Sequence, residues 1–533
     1  MKLAQKLTIL FFGINSILSA QSYKQRFNTL DLQHYKLSLS VNDTTNVINA
    51  EIEVSIRFKK SVSNFQLDLV AKDSTGMGMQ VDSVYQNNIA VAFSQKNNKL
   101  TIEAKHVFPS LPYTYKIIYS GIPKDGLLIS KNSYGDRTFY GDNWPNKAHN
   151  WFPCVDHPSD KATIEYFITS PNHYQTIANG YLVEETNLDN DLILYHWKTE
   201  MPIPTSVMVF GIAKFAVQNI GETHNIPVST WVYPQTKEQG FYDFSIAKDI
   251  LNYFIENVGD YPFLKLANVQ SKTRFEGMEN AGIIFYFEDS VNGKQNHEDL
   301  IAHEIAHQWF GNSVSQIDWP HVWLSEGFAT YFTDLYILKT KDTATFKERM
   351  QEKRTTVLNF YKIQQTPVID INSTNLTSIL NVNSYEKGAW ILHMLKNKVG
   401  EENFWKGIKT YYEFYKFKNA STTDFKNVMA HVSGKNLDVF FEQWLLKTGQ
   451  PKIKATWIHG GDKLRIIVEQ LQETVFQFPL ELELIYSDGS SEIKTIQVST
   501  KNEPFVVTTK ALEVTKINFD PNINLLFEFT TDK

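Results

Sequence analysis

The chain has 533 residues, more than a single hydrophobic core can serve, because cores stop growing at roughly 250–300 residues and longer chains divide into domains. Hydrophobic residues make up 42%, charged residues 21% and aromatics 14%, which excludes a disordered or fibrous chain. A formal net charge of -6 is mild for this length and gives no reason to expect nucleic acid or an anionic membrane surface as partner.

The first twenty residues read as an export signal: Lys2 and Lys6 form the positive start, LTILFFGINSILSA the apolar stretch, and Ser19 and Ala20 its small-residue end. That stretch is shorter than the ~20 apolar residues a membrane-spanning helix needs, so cleavage near Ala20–Gln21 is expected and a transmembrane anchor is not. From about Tyr35 to residue 215 the pattern is strand-like. Ile48, Ala50, Ile52, Val54, Ile56 and Phe58 alternate with mostly polar residues, which puts one face of a strand on a core. Similar runs recur between Gly, Pro and Asn turns, and the segment reads as an antiparallel β domain. Within it Cys154 is the only cysteine of the chain, so no intramolecular disulfide can form; it reads as a buried core residue. Export without disulfides fits a bacterial periplasm or medium.

Near residue 220 the period changes. After one more strand, VSTWVYP, an apolar stripe of Ile246, Ile250, Leu251, Phe254 and Ile255 announces a helix ending before Gly259 and Pro262. Helical stretches are expected at about 297–310, 321–340, 343–362, 383–399, 401–417 and 422–447. Beyond Gln450–Pro451 the period returns to two, with Phe476, Phe478, Leu480, Leu482 and Leu484 on one face and Asp488–Gly489 as a hairpin turn. The expected architecture is multidomain α+β: an N-terminal antiparallel β domain (21–217), a mainly helical body (218–450) and a C-terminal β sandwich (451–533).

The helical body holds the residues that carry chemistry. In HEIAHQWFGN, His303 and His307 stand four apart, so on a helix both imidazoles face one ion. Leu300, Ile301, Ile305 and Trp309 give this helix its packing surface, and Gly311–Asn312 can end it. A catalytic zinc takes three protein ligands and leaves its fourth position open. Glu326 follows His307 after eighteen residues, in the apolar stretch VWLSEGFATYF, where an unpaired carboxylate is costly; it is the expected third ligand. Glu304 is too close in sequence to both histidines to join them comfortably, and is placed instead to move a proton between water and a leaving amine. His297, His321 and His393 lack ligand spacing.

Several further segments fall in order around this motif. GMEN occupies 277–280, and SYEKGAW follows at 384–390, with FPCVDHPSDKA at 152–162 and YPF at 261–263 upstream. The series resembles the aminopeptidase N and leukotriene-A-hydrolase kind of gluzincin metallopeptidase. The resemblance implies a thermolysin-like zinc domain, one zinc ion per chain and peptide substrates with a free amino terminus. It implies that Glu279 binds the substrate's amino group, with Gly277, Met278 and Asn280 beside the substrate backbone, and that Tyr385 stabilises the oxyanion. Two features depart from the family pattern. Relatives usually carry Gln or Glu nine residues before the proline of the FPC segment, as a second contact to the amino end; Trp144 stands there, with Asp142 and Asn143 as nearby alternatives. On the same resemblance, the large helical domain that follows the sandwich in many relatives is expected to be missing. An endopeptidase sharing the metal site is the nearest rival reading. A non-catalytic scaffold is the other, and it would be expected to show decay among the ligands or Glu304.

Overall fold

A computed structural model of the chain describes residues 26–530 apart from His106 and Thr374, so the expected export signal lies outside the described residues. The described chain divides into two compact units, one running up to Asp318 together with Tyr415–Asn419, the other comprising Trp319–Phe414 and the described residues from Ala420 onward.

The first unit opens with a nine-stranded sheet in the order Tyr181–Leu188, Leu192–Lys198, Lys161–Pro171, Leu30–Ser40, Ile48–Phe58, Pro112–Ile122, Gly78–Gln86, Ile89–Ala90, with Ile203–Pro204 paired to Lys161–Pro171. Its alternation is the one written in the sequence: every second residue from Ile48 to Phe58 is buried. One neighbour pair departs from the antiparallel expectation, since Leu30–Ser40 runs parallel to Lys161–Pro171 with Leu37 opposite Tyr166. A period of two identifies a face and says nothing of direction, so this pairing leaves no local trace. A smaller sheet of Gln175–Ala178, Phe210–Ala213, Arg137–Gly141 and Leu127–Lys131 follows.

The same unit then builds a five-stranded mixed sheet in the order Ala216–Thr223, Ile226–Val232, Leu266–Gln270, Ile283–Tyr286, Gly277–Met278. The sequence pattern showed only part of it. Leu266–Gln270 is buried at every position, as a strand covered on both faces must be, and so carries no alternation to read. Three helices accompany the sheet: α1 (Lys237–Asp243), α2 (Ala247–Asn257) and α3 (Glu298–Ala306). Helix α2 buries Ile250, Leu251, Phe254 and Ile255 and packs against α3, and α3 in turn lies on the edge strand Gly277–Met278.

The second unit holds α4 (Trp323–Thr340), α5 (Thr343–Ile363), α6 (Gly388–Val399), α7 (Glu401–Tyr415) and α8 (Thr422–Ser433). The single helix expected over 422–447 is broken: α8 stops at Gly434, whose φ of +67° is left-handed, and short turns at Asp438–Phe441 and Glu442–Leu446 follow. No described helix is long and apolar enough to cross a membrane. The C-terminal strands form a four-stranded sheet (Asn502–Thr508, Lys463–Gln470, Lys452–Gly460, Glu528–Phe529) and a three-stranded one (Ser491–Val498, Phe478–Tyr486, Val514–Phe519), the expected β-rich ending.

A buried polar seam ties the sandwich to the helices of this unit. Arg354 of α5 pairs with Asp520, and its guanidinium lies 5.1 Å from the Trp390 ring centre and 5.0 Å from that of Phe527. Beside it, burial holds the His393 pKa down at about 4, so the ring is neutral at pH 7. It accepts the Tyr331 hydroxyl at Nδ1 (3.1 Å) and donates from Nε2 to the Ile523 carbonyl (3.0 Å). Asp520→Ala, which leaves the Arg354 charge buried without its carboxylate, is expected to lower stability by about 3–5 kcal/mol in urea unfolding. Arg354→Met combined with Asp520→Leu, which removes both charges, is expected to lose far less; an equal loss would show that packing, and not charge isolation, sets the cost.

Candidate active site

Helix α3 starts with Glu298 and Asp299 in its first turn, where carboxylates suit the unsatisfied backbone N–H groups, and buries Ile301, Ala302 and Ile305. One turn later the spacing of four brings the Nε2 atoms of His303 and His307 to 3.1 Å. Around a tetrahedral zinc with bonds near 2.0–2.1 Å, two nitrogen ligands stand about 3.3 Å apart, so the imidazole pair fits such an ion. His307 Nδ1 lies 3.0 Å from the Phe310 carbonyl; donation there leaves Nε2 with its lone pair for a metal. His303, His307 and Glu326 each offer one ligand atom, and these atoms all lie within 4.8 Å of one another. Two imidazoles and one carboxylate are the donor set of a catalytic zinc site. Among the described residues no other group of three or more His, Cys, Asp or Glu is so arranged.

Glu304 sits one residue on from His303, about 100° round the helix, and faces a different neighbour. That neighbour is Gly277 on the edge strand. A Cβ built on Gly277 would stand 2.3 Å from Glu304 Oε1, so the approach of strand to carboxylate requires glycine. Glu304 itself is 5% exposed. Gly277–Met278 pairs antiparallel with Ile283–Tyr286, Gly277 opposite Tyr286. The chain between them turns tightly, with the Asn280 N–H on the Met278 carbonyl (2.9 Å) and the Ile283 N–H on the Asn280 carbonyl (3.0 Å). Met278, Glu279 and Asn280 are buried at this turn, and the Glu279 carbonyl accepts amide N–H groups from Gln308 (2.8 Å) and Asn312 (2.6 Å).

The segment at 142–144 separates into three roles. Asn143 is committed to structure: its Nδ2 donates to the Thr205 and Met208 carbonyls (3.0 and 2.7 Å) and its Oδ1 accepts the Trp151 indole N–H (2.8 Å). Trp144 is buried edge-on to Phe275 at 6.5 Å. The Asp142 carboxylate is buried without a hydrogen-bond partner among the described residues, with Arg274 Nε at 3.9 Å, and burial raises its pKa. It alone of the three has uncommitted polar atoms.

Tyr385 stands in a π-helical turn, Asn383–Lys387, that leads into α6 where one continuous helix was expected. Wider turns of this kind recur at functional sites. Four contacts hold it. Asn383 Nδ2 donates to the Thr366 carbonyl (3.0 Å), Ser384 Oγ to the Ile379 carbonyl (2.5 Å) and Lys387 Nζ to the Gly449 carbonyl (2.8 Å). The fourth is bare backbone: a Cβ on Gly327 would lie 2.8 Å from Gly388 Cα, so two glycines let the turn press on α4 directly beside Glu326. Of the remaining histidines, His321 bonds Thr422 Oγ1 (2.9 Å) and His393 serves the seam described above.

Comparison with known proteins places this geometry. Residues 242–444 match the Peptidase family M1 domain and residues 32–207 the Peptidase M1 N-terminal domain. The chain belongs to peptidase family M1. Among its relatives in the family, aminopeptidase A of Gloydius brevicauda is 28% identical over 447 residues, which is 79% of this chain and 47% of that protein. Glutamyl aminopeptidase of Homo sapiens is 29% identical over 344 residues, 62% of this chain and 36% of its own. The chain thus spans less than half the length of these curated M1 relatives. In fold it is similar to the crystal structure of Legionella pneumophila aminopeptidase A in complex with aspartic acid, at a TM-score of 0.81 and 15% identity over 95% of this chain and 60% of that one. The M1 zinc metallopeptidase of Deinococcus radiodurans gives a TM-score of 0.68 at 23% identity, over 80% and 95%.

The M1 motif HEIAHQWFGN contains two residues whose part sequence reasoning missed, Gln308 and Asn312. Their neighbours Trp309 and Gly311 read as packing and helix ending, and nothing local shows which carbonyl an amide will meet. If the donor set holds a metal, Glu326→Ala leaves two imidazoles, and bound zinc after dialysis is expected to fall at least tenfold by elemental analysis, roughly the cost of losing one ligand. Undiminished zinc in that variant would remove Glu326 from the site.

Proposed function

We propose that the chain is a zinc-dependent aminopeptidase, hydrolysing the first peptide bond of peptides that carry a free amino terminus. The observation that supports it most is the joining of GMEN to the histidine helix, where Gly277 lies against Glu304 and the Glu279 main chain is bonded to the residues just past His307. His303, His307 and Glu326 are the proposed ligands of one zinc ion. A bound zinc supplies Lewis-acid activation of water and of the scissile carbonyl.

The chain's own residues do the rest. The Glu279 carboxylate pairs with the substrate's ammonium group, a charge-assisted bond that fixes the scissile carbonyl one residue away. Asp142 is the remaining candidate for a second contact at that end. The main chain of Gly277 and Met278, with Asn280 behind it, runs beside the substrate backbone. Glu304 takes the proton of the attacking water on its carboxylate and delivers it to the departing amine. Tyr385 donates its hydroxyl to the developing oxyanion, and a donor fixed in advance costs little reorganisation when charge appears.

We also infer export to a bacterial periplasm or medium, from the composition of residues 1–20 and the lone buried Cys154. The three-part division at about 217 and 450 belongs to the same reading. Glu304→Gln is expected to keep zinc while turnover of aminoacyl chromogenic substrates falls by about a thousandfold or more, since the proton carrier is lost. Acetylating the substrate's amino terminus is expected to abolish cleavage by the unmodified enzyme. Cleavage of blocked peptides at internal bonds would replace the aminopeptidase reading by the endopeptidase one, and full activity in Glu304→Gln would deny that residue its role.

A further inference from the structure

The turn that carries Glu279 is held by polar side chains that core packing does not require. Gln308 is fully buried and grips the turn at two points: its Nε2 donates to the Glu279 carbonyl (2.8 Å) and its Oε1 accepts the Gly282 N–H (2.9 Å). Asn312, 1% exposed, adds Nδ2 to the same Glu279 carbonyl (2.6 Å). The Asn312 Oδ1 is buried with no hydrogen-bond partner among the described residues. Reversing the amide would set oxygen against oxygen at 2.6 Å, so the orientation is decided by the Glu279 carbonyl alone.

Both residues are themselves fixed. The Asn312 N–H bonds the His307 carbonyl (3.1 Å), which makes it a continuation of the histidine turn, and Gln308 Nε2 also reaches the Glu304 carbonyl (3.2 Å). From outside, the Lys161 ammonium donates to the Asn312 and Ser313 carbonyls (3.0 and 2.7 Å), and Asn179 Nδ2 donates to the Ala281 carbonyl (2.8 Å) on the far side of the turn. The main chain of Glu279 is therefore bonded to the same short segment that carries His303, Glu304 and His307.

We propose that Gln308 and Asn312 are positioning residues that set the spacing between the Glu279 carboxylate and the metal-binding histidines, and so the length of substrate held between its amino group and the scissile carbonyl. The inference rests on the aminopeptidase reading. Neither side chain touches substrate; each acts through the Glu279 main chain. Removing one donor leaves the helix, the ligands and the carboxylate in place but frees the turn to shift, so affinity conferred by the amine is lost while affinity conferred by the metal is kept.

Two probes separate these contributions, because glycine hydroxamate differs from acetohydroxamate only by an α-amino group. Both are titrated calorimetrically into the zinc-loaded full chain, its Gln308→Met variant, which keeps side-chain length, and its Asn312→Leu variant. Bound zinc and thermal unfolding are measured alongside. The expected result is a roughly tenfold loss of affinity for glycine hydroxamate in each variant, equivalent to one buried hydrogen bond, with acetohydroxamate within about twofold of the parent and zinc unchanged. Equal loss for both probes, or loss for neither, in a folded variant overturns the positioning role; should Asn312→Leu fail to fold, Gln308→Met alone decides. If the parent protein binds the two probes equally, the amine anchor itself is refuted, and the aminopeptidase reading falls before any variant is compared.

Discussion

One turn of helix meets one bare piece of strand, and the chemistry proposed here depends on that contact. The spacing of four in α3 turns two imidazoles toward one point, with their Nε2 atoms 3.1 Å apart. The intervening Glu304 is carried about 100° from His303, so it cannot share that point and instead meets the edge strand at Gly277. A side chain at 277 would have to occupy the space of the carboxylate. Because glycine stands there, the Glu304 carboxylate and the strand preceding Glu279 lie in direct contact. The arrangement depends on the helical period and on the missing Cβ.

Much of this was legible because it depends on period. Strands Ile48–Phe58 and Phe478–Tyr486 announce themselves by alternation, since each has one wet face. His303, Glu304 and His307 are legible for the same reason, as residues whose directions a helix fixes. Legibility ends where both faces are covered or where partners are distant in sequence. Leu266–Gln270, buried throughout, looks like any short apolar run, so the mixed sheet beneath α3 was under-read as a helical body. The parallel pairing of Leu30–Ser40 with Lys161–Pro171 and the Gly327–Gly388 contact join residues far apart in the chain, and no window of local sequence contains them. Gln308 and Asn312 fail for a third reason. Asn312 reads as part of a helix ending and Gln308 has no reading at all until the carbonyl each amide bonds is known.

Four polar side chains of the first unit converge on the main chain around the GMEN turn and the end of the histidine turn. Lys161, Asn179, Gln308 and Asn312 all direct hydrogen-bond donors at main-chain carbonyls of 279–282 or 312–313. Burial holds the Lys161 ammonium well below the usual lysine pKa. Apolar side chains of similar volume would bury as well, and replacing buried charge by hydrocarbon often raises stability. What hydrocarbon cannot supply is direction. A methyl group tolerates a turn sliding by half an ångström, whereas an N–H pointing at a carbonyl does not.

That directional restraint bears on how an exopeptidase differs physically from an endopeptidase with the same metal ligands. The difference is a distance, from a carboxylate that accepts an ammonium to the point where a carbonyl is attacked. Misplacement by about 1 Å can lower a rate by about a hundredfold, so the distance has to survive thermal motion. A carboxylate at the tip of a loop would satisfy the charge and fail the distance. Here Glu279 follows a two-residue edge strand and its carbonyl is bonded twice to the end of the histidine turn. The ruler is thus made of main chain held by amides, and the side chain needs only its own short reach. Specificity for a chain end, on this view, is stored less in Glu279 than in the three hydrogen bonds that join its turn to the Gln308 and Asn312 side chains, and so in residues that never meet a substrate.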